Sequence, residues 1–213
     1  MLVEGEAGIG KSELVRAGAG IARTRGLQVF SARAAELECE IAFGVARQLF
    51  ARPVRPDWAA LHVDAAALAA PVLSNLDHPV DTGSNAFAVL HGLYWLTAAI
   101  ATERPTLLTI DDGQWCDLPS LRFVAYLAGR MEGLRLGILL AVRPDEFGAR
   151  PDETSAGHDL LRRIAAEPHT AVARPSPLSA DAVHAWSGPS SVVTPTAASV
   201  PCAGRRPAGT PSC

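Results

Sequence analysis

The chain has 213 residues, a formal net charge of −3 and 48% hydrophobic residues, enough apolar material for one ordinary domain with its core. That charge gives no electrostatic case for direct nucleic-acid binding or for an anionic membrane, and no apolar run approaches the roughly 18 residues that span a bilayer. Cys39, Cys116, Cys202 and Cys213 show neither CxxC spacing nor a histidine at metal spacing. With no basic stretch and cleavage pattern at the start, they are expected to be free thiols of a cytoplasmic protein.

The first apolar run, residues 2–4, has strand character and leads into GEAGIGKS, residues 5–12. Lys11 in this segment is the only lysine among 19 basic residues, so every other cation is an arginine. Arginine replaces lysine on most solvated surfaces, but not where a compact ammonium must fit between phosphate oxygens. The spacing GxxxxGK[ST] supplies that ammonium, glycines that let backbone N–H groups turn inward, and a hydroxyl that ligates magnesium. Gly5, Glu6, Ala7, Gly8, Ile9, Gly10, Lys11 and Ser12 are therefore the predicted nucleotide-phosphate cradle. A helix is expected over 12–23, and strand, glycine loop and helix together aim a helix N-terminus at an anion.

Further strands are expected at 27–32, 106–110, 136–142 and 170–173. Helical stretches are expected at 43–50, 59–76, 85–101, 118–131 and 158–166. Alternation of this kind predicts a three-layer α/β/α fold around a mostly parallel five-stranded sheet, and the GxxxxGK[ST] loop makes the expected type a P-loop NTPase. The stretch from about 38 to 82 is long for one crossover and is expected to form a small helical insertion. The ATPase-like core is expected to run over 1–186, ending in a helical-looking 179–186. From residue 187 to 213 there is no Leu, Ile, Phe, Asp or Glu. Such a segment buries too little apolar surface to offset its ordering entropy, so a disordered tail is expected. The abrupt loss of pattern reads as a truncated or frame-shifted end.

The run Thr106-Leu107-Leu108-Thr109-Ile110 ends in Asp111 and Asp112. A carboxylate at the C-terminal end of a strand reaches magnesium, so Asp111 and Ser12 are the predicted metal-side groups. Asp112, one residue on, is the candidate for polarising the attacking water. Arg143 follows the 136–142 strand at the edge where ligands of open α/β sheets collect, and is the candidate γ-phosphate contact. Simpler readings stay open: an Asp-Asp turn that caps a strand, and one surface arginine among many. Asp117 before Leu118-Pro119-Ser120 has the form of a helix N-cap, and Trp115 of a packing residue.

On these motifs the chain resembles the ATPase domain of large ATP-binding LuxR-type transcriptional regulators, in the STAND branch of the AAA-like P-loop ATPases. The resemblance rests on VEGEAGIGKSELV, AFGVARQLF, LLTIDDGQWCDLPSLRFVAYLAGR and ILLAVRPDE followed by LLRRIAAEP and PLSADAV, and covers about 1–186. It implies an extended Walker B motif formed by Asp111, Asp112, Trp115 and Asp117, and a sensor-like Arg143. It also implies an acid-bearing strand away from both sheet edges and a phosphate-loop strand beside the sensor strand. The helical lid, the repeat-rich sensor region and the helix-turn-helix of such regulators have no counterpart in this sequence.

The expected function is an ATP/ADP switch with Mg2+ as cofactor and at most weak Mg-dependent ATPase activity, since in such proteins bound nucleotide sets conformation. ATP is the expected ligand, and self-association or contact with other regulator domains the expected protein partnership. An interaction module that holds nucleotide without hydrolysing it, and an inactive gene fragment, are the competing readings. A small-molecule kinase is disfavoured, because the arginine-rich lid it needs is represented only by Arg162 and Arg163.

Overall fold

β1 (Leu2–Glu4), β2 (Gln28–Arg33), β3 (Thr106–Asp111), β4 (Leu136–Val142) and β5 (Val172–Ala173) form one sheet in the order β2-β3-β4-β1-β5. Every pairing in it is parallel. The helices between them are α1 (Lys11–Thr24), α2 (Gly44–Phe50), α3 (Ala70–Ser74), α4 (Ala86–Glu103), α5 (Leu118–Ala128) and α6 (Pro151–Ala166). This is a computed structural model, and it describes residues 1–50, 64–74, 86–143, 151–177 and 179. The chain divides into two units, Met1–Ser176 and Pro177–Cys213. The expected helix at 179–186 and the polar tail fall almost wholly outside the described residues.

Burial along the strands explains their composition. β3 and β4 are near-continuous apolar runs because both faces of a central parallel strand are covered. Along β4, Ile138, Leu140 and Val142 join the larger core with Leu2, Phe30, Leu108 and Ile110. The intervening Leu139 and Ala141 pack with Val3 and with Val15 of α1 on the other face. The two-residue period of a strand thus divides one apolar run between two helical layers. β2 lies at the edge, and it alternates: Phe30 and Ala32 are buried while Ser31 and Arg33 are exposed.

The order carries out the expectation for the acid-bearing strand. β3 lies between β2 and β4, and β4 separates it from β1. Helix boundaries moved modestly. α1 begins at Lys11, one residue earlier than expected, and α6 begins at Pro151 well before its apolar stretch. Proline suits the first turn of a helix, because its fixed φ and missing N–H are tolerated there. Of the expected insertion, a 3-10 turn at Glu36–Glu38, α2, a 3-10 stretch at Asp64–Ala69 and α3 are described. Phe50 at the end of α2 anchors it, with ring centroids 6.0 Å from Phe30 on β2 and 6.1 Å from Phe123 on α5.

α2 is also held by a carboxylate from elsewhere in the chain. Asp117 is the N-cap of α5, accepting from Ser120 N–H at 2.9 Å. It accepts in addition from the backbone N–H groups of Phe43 at 2.7 Å and Val45 at 3.1 Å. Ser120 Oγ accepts from Ala46 N–H at 3.0 Å. One buried turn therefore satisfies the orphan donors of two helix N-termini. Desolvation raises the Asp117 carboxyl above its ordinary value, and these hydrogen bonds pull it back towards ionisation. Asp117→Ala strands three N–H groups in a buried site and is expected to cost about 2–4 kcal/mol in denaturant unfolding. Asp117→Asn, which keeps one acceptor oxygen, is expected to cost less; equal stability of Asp117→Ala and wild type overturns the double-cap account.

Candidate functional site

The C-terminal ends of β1, β4 and β3 lie side by side, and each is followed by predicted site residues. Glu4 pairs with Val142 in register, and Ile110 with Leu140. The ladder of β1 and β4 continues one step into the glycine loop, where Gly5 N–H donates to the Val142 carbonyl at 3.3 Å. The glycine loop, Arg143 and the Asp111–Asp112 turn are thereby brought to one sheet edge. With β4 between them, β1, which leads into the lysine loop, and the acid-bearing β3 are two strand spacings apart, roughly 10 Å.

Within the loop, Gly8 and Gly10 have φ of 77° and 97°, left-handed conformations that an L side chain rarely adopts. Gly10 is the N-cap of α1, so the loop delivers the chain into the first helical turn. Lys11 is 6% exposed, and its Nζ donates to the carbonyls of Gly5 at 2.9 Å and Glu6 at 2.7 Å. The ammonium thus lies inside the ring formed by its own loop. Ser12 follows in the first turn, partly buried.

At the other strand end, Asp111 closes β3 opposite Arg33 of β2. Its Oδ1 accepts from the Asp112 N–H at 3.0 Å. Asp112 has φ 53° and ψ 38°, a left-handed conformation that aspartate tolerates better than most residues. This turn separates the two adjacent acids: Asp111 stays with the strand while Asp112 is held from both sides. Arg33 Nε donates to Asp112 Oδ2 at 2.9 Å, and Gln114 Nε2 donates to Oδ1 at 3.3 Å. Gln114 Oε1 accepts in turn from the Arg143 N–H at 3.1 Å.

The rest of the turn is packing. Trp115 is partly buried against the main core, as its sequence context suggests. Burial pushes the Cys116 thiol well up, with a further contribution from Asp117, so the thiol is protonated and unsuited to nucleophilic work. Sequence reasoning missed Arg33, Gln114 and the second helix that Asp117 caps. Arg33 carried a signal, as a cation at the end of a predicted strand, but its target depended on β2 lying beside β3. Among the described residues there is no cluster of three His, Cys, Asp or Glu that could hold a metal by itself. No helix among them is long and apolar enough to cross a membrane.

Gly113 sets how closely this turn approaches β4. A Cβ there would lie 2.6 Å from Leu140 Cδ1, 2.9 Å from Val142 Cγ1 and 3.0 Å from the Ala141 carbonyl oxygen. The carbonyl belongs to a buried strand and has little room to yield. Gly113→Ala is expected to cost about 1–3 kcal/mol, read as a lower unfolding midpoint. An unchanged midpoint would show that the turn is free to shift off the strand.

The sequence pattern of the AAA ATPase domain matches residues 1–140. No curated protein and no solved structure matches the chain. The match takes in well over half of the 213 residues, including the glycine loop and the Asp111–Asp117 turn. The chain belongs to the AAA ATPase domain family.

Proposed function

We propose that this chain is the nucleotide switch of a large LuxR-type transcriptional regulator, binding ATP and hydrolysing it slowly in the cytoplasm. Membership of the AAA ATPase domain family supports nucleotide binding and ATPase chemistry. The regulator assignment is supported by the DDGQWCD segment, in which Asp111, Asp112, Trp115 and Asp117 match the extended acid motif. The observation that carries the site reading is the burial of Lys11 inside its own loop. Two carbonyls now take its donors, and phosphate oxygens would take them by charge-assisted bonds of greater strength.

The chain's groups fit Mg-ATP in kind and number. Gly5, Glu6, Ala7, Gly8, Ile9 and Gly10 would wrap the β/γ-phosphates with backbone N–H groups, and Lys11 would neutralise them. Ser12 and Asp111 offer a hydroxyl and a carboxylate to Mg2+, which supplies charge neutralisation when bound. Asp112 would orient the water, and Arg143, at the end of the next strand, would contact the γ-phosphate and distinguish ATP from ADP. Contact with further regulator domains or with a second copy would read that difference, while direct nucleic-acid binding is not assigned to this chain.

One observation favours the second reading, a module that holds nucleotide without hydrolysing it. Arg33 occupies Asp112 Oδ2 at 2.9 Å, the type of oxygen that would polarise water. Calorimetry and phosphate release separate the two. Lys11→Ala is expected to weaken Mg-ATP binding at least about tenfold. Equal affinity in both proteins overturns the nucleotide site. Asp112→Asn is expected to keep affinity within about threefold while slowing phosphate release about a hundredfold. Indistinguishable release from wild type and Asp112→Asn selects the non-hydrolysing module instead.

A further inference from the structure

Gln114 is 1% exposed, yet it belongs to the turn that follows Asp111 and Asp112 at the sheet edge. Its carboxamide makes two hydrogen bonds of opposite sense. Nε2 donates to Asp112 Oδ1 at 3.3 Å, and Oε1 accepts from the Arg143 backbone N–H at 3.1 Å. The orientation of the amide follows from these neighbours. A flip would set its NH2 against the Arg143 N–H and its oxygen against a carboxylate, pairing donor with donor and acceptor with acceptor. The side chain is thus a strut of fixed polarity between the turn after β3 and the end of β4.

We propose that Gln114 is a positioning residue, whose buried amide couples the carboxylate of Asp112 to the backbone at Arg143. The functional consequence rests on the nucleotide reading above: the water-orienting group and the γ-phosphate contact then shift as one unit. Asp112 has two side-chain partners of different character. Arg33, on Oδ2, has a side chain 75% exposed and yields readily to solvent. Gln114, on Oδ1, is enclosed, and the glycine before it is pressed against Leu140, Val142 and the Ala141 carbonyl. A displacement at Asp112 is therefore absorbed by water on the Arg33 side and transmitted on the Gln114 side. An amide suits this better than a charged group, because it carries a donor NH2 and an acceptor oxygen without a desolvated charge.

The test has one arm that needs no nucleotide. Exchange of the Arg143 amide proton is followed by NMR in wild type, Asp112→Ala, Gln114→Met and the double variant. Asp112→Ala is expected to speed that exchange at least about fivefold when Gln114 is present, and less than twofold in the Gln114→Met background. An unchanged Arg143 exchange rate in Asp112→Ala overturns the coupling. The second arm is single-turnover hydrolysis at saturating Mg-ATP. Gln114→Met is expected to keep affinity within about threefold and lose at least about tenfold in rate. Gln114→His, with one ring donor and one ring acceptor, is expected to recover most of that loss. A rate that falls only in step with affinity or folded fraction, equally in both variants, overturns the positioning role. Wild type that binds no Mg-ATP overturns the nucleotide reading, and the exchange arm still decides the bridge.

Discussion

β4 is the strand on which the site depends. It pairs with β1 on one side and β3 on the other, and its register fixes where both end. The lysine loop grows from β1 and the acid turn from β3, so their separation is set by one intervening strand. Neither loop determines that distance. It follows from main-chain hydrogen bonding, which places neighbouring strands at nearly constant spacing. β4 is stable in the middle because it is apolar on both faces, with alternate residues given to each helical layer. A polar residue at Leu139 or Leu140 would disturb the site by way of the sheet rather than by way of any ligand.

The segment from Asp111 to Asp117 concentrates several tasks in one turn. Asp111 ends the strand, Asp112 turns left-handed, Gly113 allows contact with β4, and Gln114 bridges to Arg143. Cys116 fills the core, and Asp117 starts α5 while holding the entry to α2. A segment so constrained at both ends has little independent freedom. Asp117 is positioned by buried hydrogen bonds, and Asp111 and Asp112 by part-buried and exposed ones at the strand end. The same constraint ties the α2 segment to the site, since α2 and α5 share the caps supplied by Asp117 and Ser120.

Arg33 gives the site a different kind of contact. It stands on an edge strand, mostly exposed, and pairs with Asp112 across the β2–β3 boundary. Exposed pairs of this type are weak and easily exchanged for water or ligand. Asp112 therefore has a firm partner inside and a replaceable one outside. On the proposed nucleotide site, a ligand entering at the sheet edge would compete with the second and leave the first in place.

Much of this was legible along the chain. GEAGIGKS stands out because Lys11 is the only lysine, and the left-handed glycines occur where a phosphate loop needs them. The β1, β3 and β4 runs were readable as continuous apolar stretches, and Asp117-Leu118-Pro119-Ser120 as a helix start, because these signals are local. Local pattern says which residues end a strand or begin a helix. It does not say which strands are neighbours. The positions of Arg33 beside Asp112, of Gln114 beneath Arg143, and of Asp117 at the start of a helix more than seventy residues earlier were decided only in three dimensions. Each joins groups far apart in sequence through a hydrogen bond whose partner is chosen by sheet order and burial, and neither of those leaves a mark on the spacing of residues.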